Sequence, residues 1–170
     1  AFLKDLDNYI EYYPSGTAIV FKELGDGTRW MVASHLGWDM NQRILSTIPA
    51  TSQAFFLNNT TWVTDTQFMA IPKGLDKDRL AVTIELMKWL MMPAQQAITF
   101  DNGYFYPGPA IKGVTIDMAP ADSQKAVKAA MRPAYDQAVA KVPNTTQLDA
   151  KALVTAMDMW DQLVGAKIKK

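Results

Sequence analysis

Two short polar-aromatic segments have the residue types and spacing of a small-molecule binding site. Their candidate ligand-binding residues are His35, Trp38 and Asp39 in the first, and Trp62, Asp65 and Gln67 in the second. An aromatic face beside a carboxylate can bind an ammonium group by cation–π attraction and charge-assisted hydrogen bonding. A carboxylate ligand would need an arginine, and only Arg43 is close by. The residue types in the two segments therefore favour a cationic or neutral polar ligand.

Catalytic and metal chemistry is poorly supported by the sequence. His35 is the only histidine and there is no cysteine, so a two-histidine zinc site, a disulfide and thiolate catalysis are all excluded. Ser34 is adjacent to His35, and neighbours in a strand point to opposite faces. No nucleophile-elbow serine motif and no glycine-rich phosphate-binding motif is present. We therefore expect no catalytic residue, no cofactor and no metal, with His35 not a metal ligand.

Composition limits the possible partners. The 170 residues are 49% hydrophobic, which is enough for a core, and 17 basic residues balance 17 acidic ones. The chain has no excess of positive charge that would attract the phosphates of nucleic acid, so we expect no nucleic-acid partner. The longest apolar run, residues 86–92, contains a lysine and falls far short of the ~18 residues that span a bilayer.

Hydrophobic periodicity predicts an α/β domain. Helical spacing predicts helices at residues 2–12, 18–24, 77–92, 122–131, 133–141 and 148–167, with another starting near Trp38. Apolar or alternating runs predict strands at residues 30–34, 53–57 and 62–71. Alternating strands and helices indicate a largely parallel sheet flanked by helices, in which ligands bind beyond the carboxyl ends of the strands.

The helix predicted at residues 77–92 has a cap and an apolar stripe. Asp76 is a good N-cap residue, and the stripe must pack on something apolar. Its members are Leu80, Ile84, Met87 and Met91.

Each candidate segment also has a plain structural interpretation. Trp38 could belong to the core while Asp39 caps a helix, and residues 62–67 could be an exposed hinge strand. We expect Tyr104 and Tyr106 to pack in a hinge rather than to contact ligand.

The order of three further motifs resembles a known family. A polar-aromatic strand from Trp62 leads through Met69-Ala70-Ile71-Pro72-Lys73-Gly74 into the acid-capped helix. Trp89-Leu90-Met91-Met92-Pro93-Ala94-Gln95-Gln96 and then Gly103-Tyr104-Phe105-Tyr106-Pro107 follow. This order resembles the final inter-lobe crossing of the bacterial ABC-transporter extracellular solute-binding proteins, which include the spermidine/putrescine receptors. The resemblance covers residues 2 to 118.

The resemblance implies a type II periplasmic binding fold, of which this chain is the C-terminal half. Residues 1–62 and 110–170 would form the second lobe, while residues 63–109 would be the hinge strands and helix that cross into the first lobe. Most of the first lobe would then be absent. We expect the uncovered stripe to be paired with the missing N-terminal lobe or with another copy of the chain.

The resemblance also implies a function. Such a receptor captures a small polar or cationic solute between its lobes and delivers it to the ABC permease in the inner membrane. We expect a periplasmic location, or an extracellular one with a membrane tether, and no catalysis. The alternatives are a small transferase or hydrolase domain of similar fold, and a scaffold or dimerisation domain.

The register of the ligand-binding residues stays open. Polyamine receptors carry Trp-Asn-Gly near the first segment, and its match is His35-Leu36-Gly37 by strand spacing or Trp38-Asp39 by residue type. Their Trp-Met-Asp-Ser precedes Ala-Ile-Pro. Counting back from Ala70 sets Asp65 and Gln67 at its Trp and Asp, whereas residue type selects Trp62 and Asp65.

Overall fold

A computed structural model describes residues 2–57, 59–64, 66–106 and 108–165. Within these ranges the chain is rich in helix and has one small parallel sheet. The helices are α1 (Phe2–Leu6), α2 (Thr17–Gly25), α3 (Trp38–Ile44), α4 (Lys77–Leu90), α5 (Pro93–Ala97), α6 (Ala121–Ala130), α7 (Pro133–Lys141) and α8 (Ala150–Leu163). The strands are β1 (Trp62–Thr64) and β2 (Asn144–Thr146), and short 3-10 turns occupy Asp7–Tyr9, Ile98–Phe100 and Ile116–Met118.

Most of the predicted helices are confirmed. Helices α2, α3, α4, α6 and α7 form within a residue or two of the predicted bounds. Helix α8 covers the middle of its predicted range, and the end of that range at residues 166–167 lies outside the described residues. The prediction for residues 2–12 is too long, because α1 passes into a 3-10 turn and Ile10 is extended. Since α1 has no buried residue, no packing sustains a longer helix.

The predicted strands at residues 30–34 and 53–57 are wrong, and within the described residues the strand predicted at 62–71 is limited to β1. A strand needs a neighbour to hydrogen-bond its backbone, and an apolar run becomes a central strand only where it is buried. Trp30 is instead 90% exposed, and Met31 is also exposed. The largely parallel sheet is thus reduced, among the described residues, to one pair of short strands.

The β1–β2 pair joins distant parts of the chain. The strands are parallel, with Trp62 opposite Asn144 and Thr64 opposite Thr146. Trp62 N donates to Pro143 O at 2.9 Å, and Thr64 Oγ1 donates to Asn144 Oδ1 at 2.9 Å. β2 is a polar Asn-Thr-Thr segment without alternation, so no hydrophobic pattern predicted it.

The hydrophobic core lies beneath α3. Its centre is formed by Met40 of α3, Val127 of α6 and Tyr135 of α7, all of them buried. Partly buried side chains packed against this centre include Leu36, Ile44, Ala54, Phe56, Tyr106 and Ile116. Because α3 begins at Trp38, this packing fixes the first candidate segment on the core.

Much apolar surface remains in water. The accessible surface is 13017 Å², whereas a compact monomer of this mass exposes about 8,300 Å². Helix α4 has no buried residue, although Asp76 caps it as predicted by accepting a hydrogen bond from Arg79 N at 2.8 Å. Its stripe residues Leu80 and Ile84 are exposed rather than packed. Among the described residues no helix is both long and apolar enough to cross a membrane.

Candidate ligand-binding site

The first candidate segment is a tight turn that leads into α3. Trp38 N donates to His35 O at 3.2 Å, and Met40 N donates to Gly37 O at 3.0 Å. Gly37 precedes the helix with φ of 81°, a left-handed conformation that favours glycine. The turn therefore holds the side chains of His35 and Trp38 side by side at the start of α3.

Trp38 is the centre of an aromatic cluster. Its ring lies 5.7 Å from the ring of His35, 5.8 Å from that of Tyr104 and 5.9 Å from that of Phe21. These distances are typical of favourable aromatic pairs. We call Phe21, His35, Trp38 and Tyr104 the α3 aromatic cluster.

The α3 aromatic cluster has a buried base and an open edge. Phe21 is buried, Trp38 is partly buried, and His35 and Tyr104 are exposed. The Trp38 Nε1 atom is buried and has no hydrogen-bond partner among the described residues. The cluster thus presents two exposed rings around a half-buried indole.

Asp39 does not present a free carboxylate. Its Oδ2 accepts a hydrogen bond from Arg43 Nη2 at 3.1 Å and another from the hydroxyl of Tyr135. The side chain of Arg43 is only 8% exposed and that of Asp39 19%. Charge-assisted bonds between such poorly hydrated groups are strong, so Asp39 and Arg43 neutralise each other within the protein.

The same ion pair anchors α3 to the two helices behind it. Arg43 Nη1 donates to Ala130 O of α6 at 3.1 Å, and Arg43 Nη2 donates to the Tyr135 hydroxyl of α7 at 2.8 Å. Burial, together with the hydrogen bond to Asp39, raises the pKa of Tyr135 to about 12. Tyr135 therefore stays protonated and keeps donating to Asp39 at ordinary pH.

Tyr106 makes a second link to α7 from residues 101–106, which we call the return segment. Its ring lies 5.1 Å from that of Tyr135, and its hydroxyl donates to Asp136 Oδ1 at 2.6 Å. Burial raises the pKa of Tyr106 above its usual value, and this hydrogen bond raises it further. Tyr106 therefore packs within the protein, and its place in a hinge stays a prediction.

The second candidate segment is connected to Tyr135 through the ring of Phe56. The ring of Trp62 lies 5.8 Å from that of Phe56, which in turn lies 6.2 Å from that of Tyr135. Trp62 is partly buried, and Gln67 is exposed beyond the end of β1. Asp65 lies outside the described residues. Trp62 and Asp39 are thus connected through Phe56 and Tyr135.

Sequence reasoning missed Tyr135 and assigned Tyr104 to hinge packing. No local signal marks Tyr135, because the residue it binds, Arg43, is 92 positions away in the sequence. Tyr104 had a signal in the aromatic run that follows Gly103, but its contact with Trp38 depends on the tertiary fold.

Two open grooves lie apart from the α3 aromatic cluster. One, of 490 Å³, is lined by residues that include Tyr9, Tyr12, Glu23 and Arg29. The other, of 620 Å³, lies between Phe56 and the α7 residues Gln137 and Lys141. Within the described ranges no three histidine, aspartate or glutamate side chains come together in a way that could hold a metal ion.

Comparison with known proteins identifies the family. The profile of the family described as bacterial extracellular solute-binding protein matches residues 1–131, which is most of the chain. No curated protein and no solved structure gave a significant match. The family implies an α/β fold and a substrate-binding role in an ABC importer. The chain belongs to the bacterial extracellular solute-binding proteins.

Proposed function

We propose that this chain captures a small polar or cationic solute between two lobes and delivers it to the membrane permease of an ABC importer. The observation that carries the proposal is the family match over residues 1–131. The α3 aromatic cluster supports it by offering exposed rings at the start of a helix. The receptor acts in the periplasm, or outside the cell on a membrane tether.

The charge distribution around α3 supports this class of solute. Arg43 is held by Asp39, Tyr135 and the carbonyl of Ala130, so it has little capacity left for a carboxylate ligand. Exposed rings attract ammonium groups by cation–π interaction and pack against the C–H faces of neutral polar solutes. Asp65 remains the carboxylate that the sequence predicts for a cationic solute. Asp39 contributes by holding α3 in place.

The exposed apolar surface supports the two-lobed arrangement. In the proposal, residues 63–109 cross into the first lobe, and α4 packs there. An exposed apolar helix is a common mark of an interaction surface. Residues 1–62 and 110–170 then form the second lobe, which carries Phe21, His35 and Trp38 of the α3 aromatic cluster together with β2. Closure of the lobes on the solute creates the form that docks on the permease.

Native mass spectrometry tests the proposal. The protein purified from its own host is expected to carry a small polar or cationic molecule, which Trp38→Ala weakens or removes. Trp30→Ala is the matched control, since Trp30 is 90% exposed and lies outside the cluster. A protein that carries no small molecule, and binds neither spermidine nor glucose when these are added, would contradict the proposed function.

A further inference from the structure

We infer that Tyr104 contacts the solute and adds a third ring to the wall formed by His35 and Trp38. The inference rests on the proposed function and extends it to a residue that lies on the return segment. It assigns Tyr104 a recognition role in place of the hinge packing that its sequence position suggests.

The ring of Tyr104 is open to solvent and close to Trp38. It is 47% exposed, and its centroid lies 5.8 Å from that of Trp38 with the two planes at 79°. Its centroid also lies 4.8 Å from that of the Phe105 ring. Tyr104 and His35 thus each contact Trp38 and leave much of their own surface open to a solute.

The hydroxyl of Tyr104 differs from those of Tyr106 and Tyr135 in its hydrogen bonding. The hydroxyl of Tyr106 donates to Asp136, and that of Tyr135 donates to Asp39. The Tyr104 hydroxyl makes no hydrogen bond to any residue in the described part of the chain. A phenol that packs its ring on a tryptophan and leaves its hydroxyl unpaired can both stack on a ligand and hydrogen-bond to it.

The return segment is fixed against α3 just before Tyr104. Asn41 Nδ2 donates to Asn102 O at 3.1 Å, across the contact between α3 and this segment. At Gly103 φ is +80°, and a Cβ there would lie 3.0 Å from Met40 Sδ, so the backbone packs closely against α3 at this point. Tyr104 is therefore held in position relative to Trp38, which lowers the entropy lost on binding.

This geometry suits a solute with hydrogen-bonding groups beside a cationic or C–H face. Such a face lies on the rings, while ammonium or hydroxyl groups reach the Tyr104 hydroxyl and the imidazole of His35. Spermidine is a cationic solute of this kind, and glucose is a neutral one.

Two-dimensional NMR of the tryptophan indole N–H groups tests the inference, with spermidine and glucose as probes at millimolar concentration. The Trp38→Phe spectrum assigns the Trp38 signal, and Trp62→Phe assigns that of Trp62. One of the two probes is expected to shift the Trp38 signal, and Tyr104→Ala to weaken that binding by about two- to fivefold. Tyr9→Ala is the control, because Tyr9 is 86% exposed and lies outside the cluster; it should leave binding unchanged.

Tyr104→Phe provides a second test that conserves the ring. It is expected to keep the stacking contact and lose only the hydrogen bond, so binding should fall less than in Tyr104→Ala. Unchanged binding in both variants would overturn the inference. A probe that shifts only the Trp62 signal would also overturn it while leaving the receptor function intact. If neither probe shifts any indole signal, the proposed solute class fails and the role of Tyr104 fails with it.

Discussion

Tyr106 lies directly against Gly37, so close that a Cβ on residue 37 would stand 2.2 Å from the Cβ of Tyr106 and 2.7 Å from its Cγ. Residue 37 immediately precedes α3, whereas Tyr106 belongs to the return segment, so this contact joins the two parts of the chain that carry Trp38 and Tyr104. The hydrogen bond from Tyr106 to Asp136 extends the same connection to α7.

Gly37→Ala should destabilise the protein by about 2–5 kcal/mol, because left-handed strain adds to a steric clash within a packed region. Gly74→Ala is a matched control. Gly74 also has a positive φ, of +99°, but a Cβ there would meet nothing within 4 Å. Urea unfolding measures both changes, and equal losses for the two variants would show that the contact with Tyr106 does not constrain residue 37.

Tyr135→Phe should lower the free energy of unfolding by about 1–3 kcal/mol, since it removes the hydroxyl that donates to Asp39 and accepts from Arg43. Tyr135 is fully buried, so water does not replace the lost partner. Tyr9→Phe removes a hydroxyl from an exposed tyrosine and should change stability very little. Chemical denaturation of both variants checks the difference.

Arg43→Met should cost about 2–4 kcal/mol, because it leaves the carboxylate of Asp39 without its charged partner in a poorly hydrated place. Lys22→Met breaks another ion pair with the same i,i+4 spacing, but there the side chains are 73% and 55% exposed. That variant should lose less than about 1 kcal/mol. If thermal unfolding shows similar losses for the two, the Asp39–Arg43 pair does not anchor α3.

Stability should fall as the solution becomes strongly alkaline. The pKa of Tyr135 is raised from 10.0 to about 12, so the unfolded chain releases this proton first. The contribution of Tyr135 is complete below pH 10.0 and is lost as pH rises towards about 12. Unfolding midpoints measured across this interval should decline less steeply in Tyr135→Phe than in the unmodified protein. An identical slope in both would contradict the assignment.

The exposed face of α4 should promote self-association of the isolated chain. Leu80 is 36% exposed and Ile84 is 38% exposed, so Leu80→Glu and Ile84→Glu, both on the apolar stripe, should leave thermal unfolding nearly unchanged. Both substitutions should reduce concentration-dependent association in sedimentation velocity experiments. Thr83→Glu is a control on the same helix that leaves the apolar side chains in place. Unchanged association in the first two variants would show that copies of the chain do not associate through this face of α4.

The helices could be predicted because their signals are local. Asp76 capped α4 as its type predicts, and Pro133 begins α7, where a missing backbone N–H costs nothing. The strands depended on distant partners that the sequence does not show. The apolar run at residues 30–34 resembles a buried strand in composition, yet no neighbouring strand pairs with it in the described part of the chain.

The candidate site was predictable in part for the same reason. His35 and Trp38 lie together because they are three residues apart in a turn. Asp39 also lies there, but its hydrogen-bond partner Tyr135 comes from a helix 96 positions away, and this partner determines what the carboxylate can do. The placement of Trp62, Gln67 and Asp65 around a bound solute stays a prediction.

The β1–β2 pair also bears on the order of folding. Thr64 and Asn144 are 80 residues apart, and the three-residue strands that they join have few bonds with which to offset the entropy of closing so long a loop. The local helices should therefore form before these strands meet, and the strands should be the first to separate. Amide hydrogens in β1 and β2 should then exchange with solvent sooner than those of α3, which packs on the hydrophobic core.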